Sequence, residues 1–261
     1  MPLLTDEALF GQTGLRIAFS GREGGVSEGA YASLNLGGHV GDDPACVAEN
    51  RRRLLEALGA PEAELVVPSQ VHGNELVSIG AADSDSLEAA RAAAAAGADG
   101  IVVSAAGVAA LLCFADCVPV VIASPTGRFA VVHAGWRGVM NGVALRALAA
   151  LAAADAPALG ADAAGTYNVY VGPHIHAECF ETSAEICAGF ADRFGAGCVP
   201  AARHVDLFAA LRVGLTGAGV LPERIVEAGA CTRCLPETYF SYRAAGGTCG
   251  RHGAIAFRKG R

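Results

Sequence analysis

Positive charge is in deficit. The 261-residue chain has 19 Lys and Arg against 26 Asp and Glu, a formal net charge of −7. A general nucleic-acid binder needs a basic surplus to meet phosphates, so that class is set aside. A few arginines in one pocket can still hold a small anion against the global sign. Aromatic residues are sparse too, at 6% with one tryptophan. Charged residues reach only 17% against 52% hydrophobic, which excludes a disordered chain and predicts a substantial core. The start, "MPLLTDEALFGQTG", lacks a basic stretch followed by a long apolar one, so no signal peptide is expected and the protein reads as cytoplasmic. One window, "AAGVAALLCFADCVPVVIA" (105–123), has the length of a membrane helix. Asp116 and Pro119 near its middle and a β-branched second half predict instead two buried strands meeting at a polar elbow.

There is no Walker-type phosphate loop, no dinucleotide fingerprint, no repeat and no interdomain linker. What is there alternates between strands and helices. Strands are predicted at 14–20, 64–73 and 75–79 (neighbours around a turn), 101–104, 108–114, 118–124, 129–134, 167–173, 224–229 and 254–258. Helices are predicted after Asp43 with Pro44 in the first turn, at 85–100, after "GWRGV" (135–139) to about 154, at 182–194 with Thr182 and Glu185 at capping-box spacing, and at 206–219. The expectation is a single α/β (α+β) domain over residues 1–261, with a mixed, partly antiparallel sheet and helices packed on it.

Two motifs tempt and fail. "GVSEG" (25–29) fits the serine-hydrolase elbow, but that motif needs a strand straight in and a helix straight out, and loop flanks it on both sides. "CTRC" (231–234) is a C-x-x-C pair with no second pair and no spaced histidines, so Cys231 and Cys234 are assigned a structural role or plain burial rather than a zinc knuckle. The nine cysteines are scattered, and are expected to be reduced.

Three other stretches share one grammar, a strand ending in a ligand-type residue. "PSQVHG" offers His72, "CFADCVPV" offers Asp116 and Cys117, and "VVHAGWRG" offers His133. Singly, each residue reads as satisfied core. Together, His, Cys and His form an incomplete tetrahedral set of the sort a catalytic zinc site uses, with water in the fourth place. Copper(I) could use the same ligands. Asp116 could orient a histidine or move protons. Gly135 allows close chain approach, Trp136 offers an apolar wall, and Arg137 is placed to meet an anion. Whether the strand tips meet is left open by the sequence.

"SLNLGGHVGDDPACVAENRRRL" (33–54), "PSQVHG" (68–73), "ADGIVV" (98–103), "ADCVPV" (115–120), "VHAGWRG" (132–138), "GPHIHAECFE" (172–181) and "YFSYR" (239–243) occur in order, and through them the chain resembles the laccase-domain family, also called YfiH-type or multicopper polyphenol oxidase-like. The resemblance implies purine nucleoside phosphorylase activity with adenosine deaminase activity. It implies one zinc held by His72, Cys117 and His133, and nucleoside (adenosine, inosine, guanosine or methylthioadenosine) and phosphate as small-molecule substrates. Phosphorolysis needs arginines for phosphate, with Arg51, Arg137 and Arg243 as candidates. Deamination needs a proton shuttle, with Asp116, Glu181 and His174 as candidates; the nucleobase-deaminase signature H-x-E with P-C-x-x-C is absent. The sequence departs from the family at His174 and His176, and the Gly250–Arg251 pair is loosely spaced. Three rivals stay open. One is a cysteine hydrolase or amidase with Cys117 as nucleophile and His72 or His133 as base. Another is a copper polyphenol oxidase, for which "HIH" (174–176) is the only H-x-H pair among seven histidines. The last is a non-enzymatic metal-binding protein. A monomer or small homo-oligomer, with no nucleic-acid or membrane partner, is expected.

Overall fold

The structure, a computed structural model, describes residues 1–260. The chain runs β1 (Leu3–Thr5), α1 (Glu7–Thr13), β2 (Leu15–Ser20), α2 (Pro44–Ala57), β3 (Glu64–Val66), β4 (Leu76–Ile79), α3 (Ser84–Ala96), β5 (Gly100–Val103), β6 (Val108–Phe114), β7 (Val118–Ala123), β8 (Phe129–Ala134), α4 (Trp136–Met140), α5 (Val143–Leu159), β9 (Asn168–Val171), α6 (Ala184–Phe194), α7 (Leu207–Gly217), β10 (Ile225–Glu227) and β11 (His252–Arg258). The fold is mixed α/β, but with two mixed sheets rather than one, in the orders β1-β2-β11-β6-β3 and β10-β9-β7-β8-β5-β4.

Side-chain alternation shows how the layers stack. On β8, Phe129 and Val131 face a core shared with β2, β6 and β11, while Ala130, Val132 and Ala134 face the core of α5 and α7. On β6, Val108, Ala110, Leu112 and Phe114 join the first of these cores, and Ala109, Leu111 and Cys113 pack under α2. The order is therefore helix, sheet, sheet, helices. Both faces of each central strand are buried, which is why these strands read as continuous apolar runs without alternating polarity.

Three local expectations are corrected. Segments 64–66 and 76–79 are not neighbours around a turn, because β3 pairs with β6 in one sheet and β4 with β5 in the other. The intervening chain crosses between sheets and is left without ladder partners. The helix after "GWRGV" is broken at Gly142, whose φ of 72° is left-handed, so α4 and α5 are separate. The cap of α6 is Ser183, whose side chain accepts from the Ile186 amide; the Thr182 amide is taken by the Arg203 carbonyl. Asp43 and Asp206 cap α2 and α7 as expected.

The β7–β8 hairpin is fastened to α5 by Asp155. This fully buried carboxylate accepts from Thr126 Oγ1 and Arg128 Nη1 at 2.7 Å and from the Tyr167 hydroxyl at 2.9 Å. Burial opposes its ionisation, but hydrogen bonds from Ser124, Thr126, Arg128 and Tyr167 hold the carboxyl below its usual range. Its stabilisation is therefore complete above the unfolded carboxylate value and is lost as pH falls through the lower folded one. Asp155→Ala is expected to cost about 3–5 kcal/mol at pH 7 in denaturant unfolding, because it strands three donors around a buried gap. The difference from the parent chain should narrow below about pH 4.

Candidate active site

The polar elbow of 115–117 is where the chain leaves β6 in one sheet for β7 in the other. Antiparallel pairing sets Pro119 opposite His133 and Val118 opposite Ala134. The start of β7 and the end of β8 therefore lie at the same edge, which settles the point that spacing left open. His72 arrives from the crossing segment between β3 and β4. The ligand atoms of His72, Cys117 and His133 all lie within 4.8 Å of one another. They border a cavity of about 380 Å³ whose wall also carries Asp116, Arg243, His39 and Arg251.

Asp99, at the mouth of β5, organises this cluster. Its carboxylate accepts from the backbone amides of Val71 (3.3 Å), His72 (3.0 Å) and Gly73 (2.6 Å), and lies 2.8 Å from His133 Nδ1. Its side chain is fully buried. Burial works against ionisation, yet the His133 and amide hydrogen bonds hold the carboxyl below its usual range. An ionised Asp99 makes His133 Nδ1 the protonated nitrogen and leaves Nε2 as the ligand atom, the arrangement that orients metal-binding imidazoles. Gln70 fixes the other end of the loop, donating to the Cys113 carbonyl and accepting from its amide, both at 2.8 Å.

Among the described residues, three non-glycine residues have positive φ, and two of them, His72 (59°) and Asp116 (93°), line this cavity. Such backbone persists only where its surroundings over-determine it. For His72 the three amide bonds to Asp99 do this. For Asp116 they are a 2.7 Å bond from Thr232 Oγ1, a 2.7 Å bond from the Arg243 amide, and the Ile175 amide on its carbonyl at 2.9 Å.

The electrostatics suit a metal. Burial alone would raise the Cys117 thiol, but the neighbouring His133 and His72 bring it down to about 6. Burial would lower His133, but Cys117 and Asp99 bring it up to about 9. A thiolate facing two imidazoles is a soft and borderline donor set, which fits zinc or copper(I) better than a hard cation. Gly135 makes room for it. A Cβ there would sit 3.0 Å from His72 Cδ2 and 3.1 Å from Cys117 Sγ, while the φ of −67° is open to any residue. Gly135→Ala is thus a purely steric probe. It should leave the fold intact by circular dichroism and lower metal affinity about tenfold, the low end of what disturbing the surroundings of metal ligands costs.

The other residues proposed from sequence are placed as follows. Arg243 lines the cavity; its guanidinium also reaches the Cys179 and Glu181 carbonyls, at 3.4 and 3.2 Å. Arg51 stands behind the wall, donating twice to the Leu36 carbonyl. Trp136 packs partly into the helix-side core, with exposed Arg137 over its ring at 4.5 Å. The carboxylate of Glu181 faces Arg203 at 3.4 Å. His174 is buried, with Nδ1 2.9 Å from the Gly172 carbonyl, beside His176 and Glu227. These last five do not line the cavity. Sequence reasoning passed over Asp99, which holds the ligands from outside the cavity, and Gln70, His39 and Tyr242, which are on the wall together with Arg251. The signal for Asp99 was a lone acid before an apolar strand; for Arg251 it was the glycine–arginine pair.

Comparison with known proteins agrees with this architecture. A family model described as multi-copper polyphenol oxidoreductase laccase matches residues 16–259. A Geobacillus stearothermophilus protein named purine nucleoside phosphorylase YlmD is 34% identical over 248 residues, 91% of this chain and 88% of its own. A protein named adenosine deaminase RL5, from an unknown prokaryotic organism, is 35% identical over 255 residues, 93% of this chain and 94% of its own. The crystal structure of YlmD from Geobacillus stearothermophilus superposes with a TM-score of 0.83 at 32% identity, covering 95% of this chain and 93% of that one. That of YfiH from Bacillus licheniformis gives 0.84 at 25% identity, covering 98% and 96%. With a match across nearly its whole length, the chain belongs to the multi-copper polyphenol oxidoreductase laccase family.

Proposed function

We propose that the protein is a zinc-dependent purine nucleoside phosphorylase that also deaminates adenosine. The observation that carries the reading is the meeting of two unlike groups in one cavity, the His72–Cys117–His133 donor set and the arginines Arg243 and Arg251. Relatives named for both activities support it. Zinc held by the three donors would supply a Lewis acid, polarising the reacting group in phosphorolysis and bringing the pKa of water to about 7 for deamination.

The chain's own groups have separable tasks. Arg243 and Arg251 bind phosphate by charge-assisted hydrogen bonds and set it against the anomeric carbon of the nucleoside. The phosphate–carbon bond forms as the carbon–nitrogen bond to the base breaks, and the base leaves with the bonding pair. The departing purine takes a proton. Solvent supplies it, and Asp116 and His39, both on the wall, can relay it; burial and the nearby Arg251 and Arg51 keep His39 below its usual range, so it passes a proton on rather than storing one. Phe180, Ile175 and Tyr242 give the apolar surface on which a purine can stack and from which water is excluded. Asp99 is a positioning residue that acts through His72 and His133.

Incubating the purified protein with adenosine, inosine, guanosine or methylthioadenosine, with and without phosphate, tests this reading by chromatography of the free base. Phosphate-dependent base release is the expected result, with inosine accumulating from adenosine alone. Silence across all four nucleosides sinks it.

One observation favours a second reading, a cysteine hydrolase. The thiolate–imidazolium character of Cys117 and His133 is what a nucleophile and its base would show. Alkylation separates the two. In chelator-treated protein, iodoacetamide should modify Cys117 with half-maximal rate near pH 6, because the thiolate is the reactive form above its lowered pKa. Added zinc should protect the thiol. A metal-free protein that stays fully active until Cys117 is alkylated would decide for the hydrolase.

A further inference from the structure

The C-x-x-C pair of Cys231 and Cys234 lacks a sequence partner but has a spatial one. Cys179, on the segment between β9 and α6, places its Sγ 3.4 Å from Cys234 Sγ. One ligand atom each from Glu178, Cys179, Cys231 and Cys234 lies within 4.8 Å of the others. The two segments are already laced together. His174 and Cys231 form a parallel bridge, the Thr232 amide donates to the His174 carbonyl at 2.9 Å, and the His176 amide donates to Cys231 Sγ at 3.4 Å. The Leu235 amide closes the C-x-x-C turn on the Cys231 carbonyl at 3.1 Å.

We propose that Cys179, Cys231 and Cys234, with Glu178 as fourth ligand, form a second, structural zinc site that shares no residue with the His72–Cys117–His133 set. Three sulfurs and one carboxylate oxygen from two facing turns give the count and softness of a closed tetrahedral zinc site. A simple disulfide explains the geometry less well. It would use Cys179 and Cys234 and leave the third thiol and the carboxylate converging on nothing. Three thiolates and a carboxylate around a dication leave excess negative charge. Arg233 answers it, with Nη1 3.5 Å from Cys179 Sγ.

The site also has a reason to exist where it is. Thr232, inside the C-x-x-C turn, donates to Asp116 on the cavity wall. Next to Cys179, Phe180 lines the cavity, and the Cys179 carbonyl accepts from Arg243. A zinc here ties together the two loops that hold Asp116, Phe180 and Arg243, a segment with little regular secondary structure to do so.

The test is zinc stoichiometry on the full chain, purified under reductant, stripped with chelator, reloaded with zinc, desalted and measured by mass spectrometry. Cys234 is exposed, so Cys234→Ser leaves the core undisturbed. Cys234→Ser is expected to bind one zinc fewer per chain than wild type, in the parent and in a Cys117→Ser background alike. Cobalt-loaded Cys117→Ser should keep thiolate-to-cobalt absorption that Cys117→Ser/Cys234→Ser lacks. Equal zinc content with and without Cys234 overturns the proposal. So does a thiol titre of seven instead of nine in unfolded, unreduced protein that takes up no zinc here after reduction, because that result assigns a Cys179–Cys234 disulfide. If Cys117→Ser loses no zinc while Cys234→Ser does, the fault lies with the reading of the cavity and not with this site.

Discussion

Cys117→Ser is expected to lower phosphorolysis at least a thousandfold while the chain stays folded. The serine hydroxyl is nearly isosteric but is neutral at pH 7, so the anion that draws His72 and His133 to one point is lost. Losing a Lewis acid removes several kcal/mol of transition-state stabilisation, and about 4 kcal/mol corresponds to about a thousandfold in rate. The change should fall on kcat, because it leaves untouched Arg243 and Arg251, the cavity residues proposed to bind phosphate. Removing the thiolate should also let His133 fall from about 9 toward ordinary values, since Cys117 heads the interactions that raise it. Steady-state kinetics with inosine, and NMR titration of the His133 ring in chelator-treated protein, check both parts. A Cys117→Ser chain with wild-type kcat would remove the metal set from the mechanism.

Asp99→Asn should be nearly as damaging, though Asp99 touches no substrate. The carboxylate accepts three amides and meets His133 Nδ1. An asparagine of the same shape has one accepting oxygen and a donating NH₂. If the oxygen takes the Oδ2 place it keeps the Val71 and Gly73 amides, but the NH₂ then meets the His72 amide and faces His133 Nδ1, forcing the imidazole proton onto Nε2, the nitrogen needed as ligand. If the amide flips, the NH₂ meets the Val71 and Gly73 amides instead. Either way a buried donor goes unsatisfied, at about 1–3 kcal/mol, and metal affinity should fall about 10–100-fold. Calorimetric zinc titration measures the second effect and denaturant unfolding the first. Excess zinc should restore much of the kcat of Asp99→Asn but none of that of Cys117→Ser. A merely structural role for Asp99 predicts lower stability with unchanged zinc affinity.

The contrast between these residues shows what a sequence makes legible. Cys117 and His133 stand out because the short turn "SPTGR" makes β7 and β8 adjacent, and adjacent antiparallel strands bring the start of one to the end of the other. His72 is visible as a residue type but not as a neighbour, since its segment crosses between sheets and owes its place to Gln70 and Asp99. Asp99 itself looks like any acid in a turn until burial shows that its charge must be answered. The two-sheet stacking is hidden because strands buried on both faces lose the alternation that would separate one layer from the next. Arg51, Trp136, Arg137, His174 and Glu181 have suitable chemistry and sit beside informative motifs, but side-chain direction is decided by packing. Trp136 turns into the helix-side core, and Glu181 turns out toward Arg203. The cysteines of 231–234 are the converse case, a motif that looked incomplete because Cys179 is far away in sequence.

Zinc titration into chelator-stripped protein, with phosphate-dependent release of hypoxanthine from inosine as readout, asks whether the His72–Cys117–His133 set drives the reaction. Negligible release is expected without metal, with a rise that tracks occupancy of that set and no rise in Cys117→Ser. Full release from stripped protein, or release from Cys117→Ser that equals wild type, would take the metal set out of the chemistry.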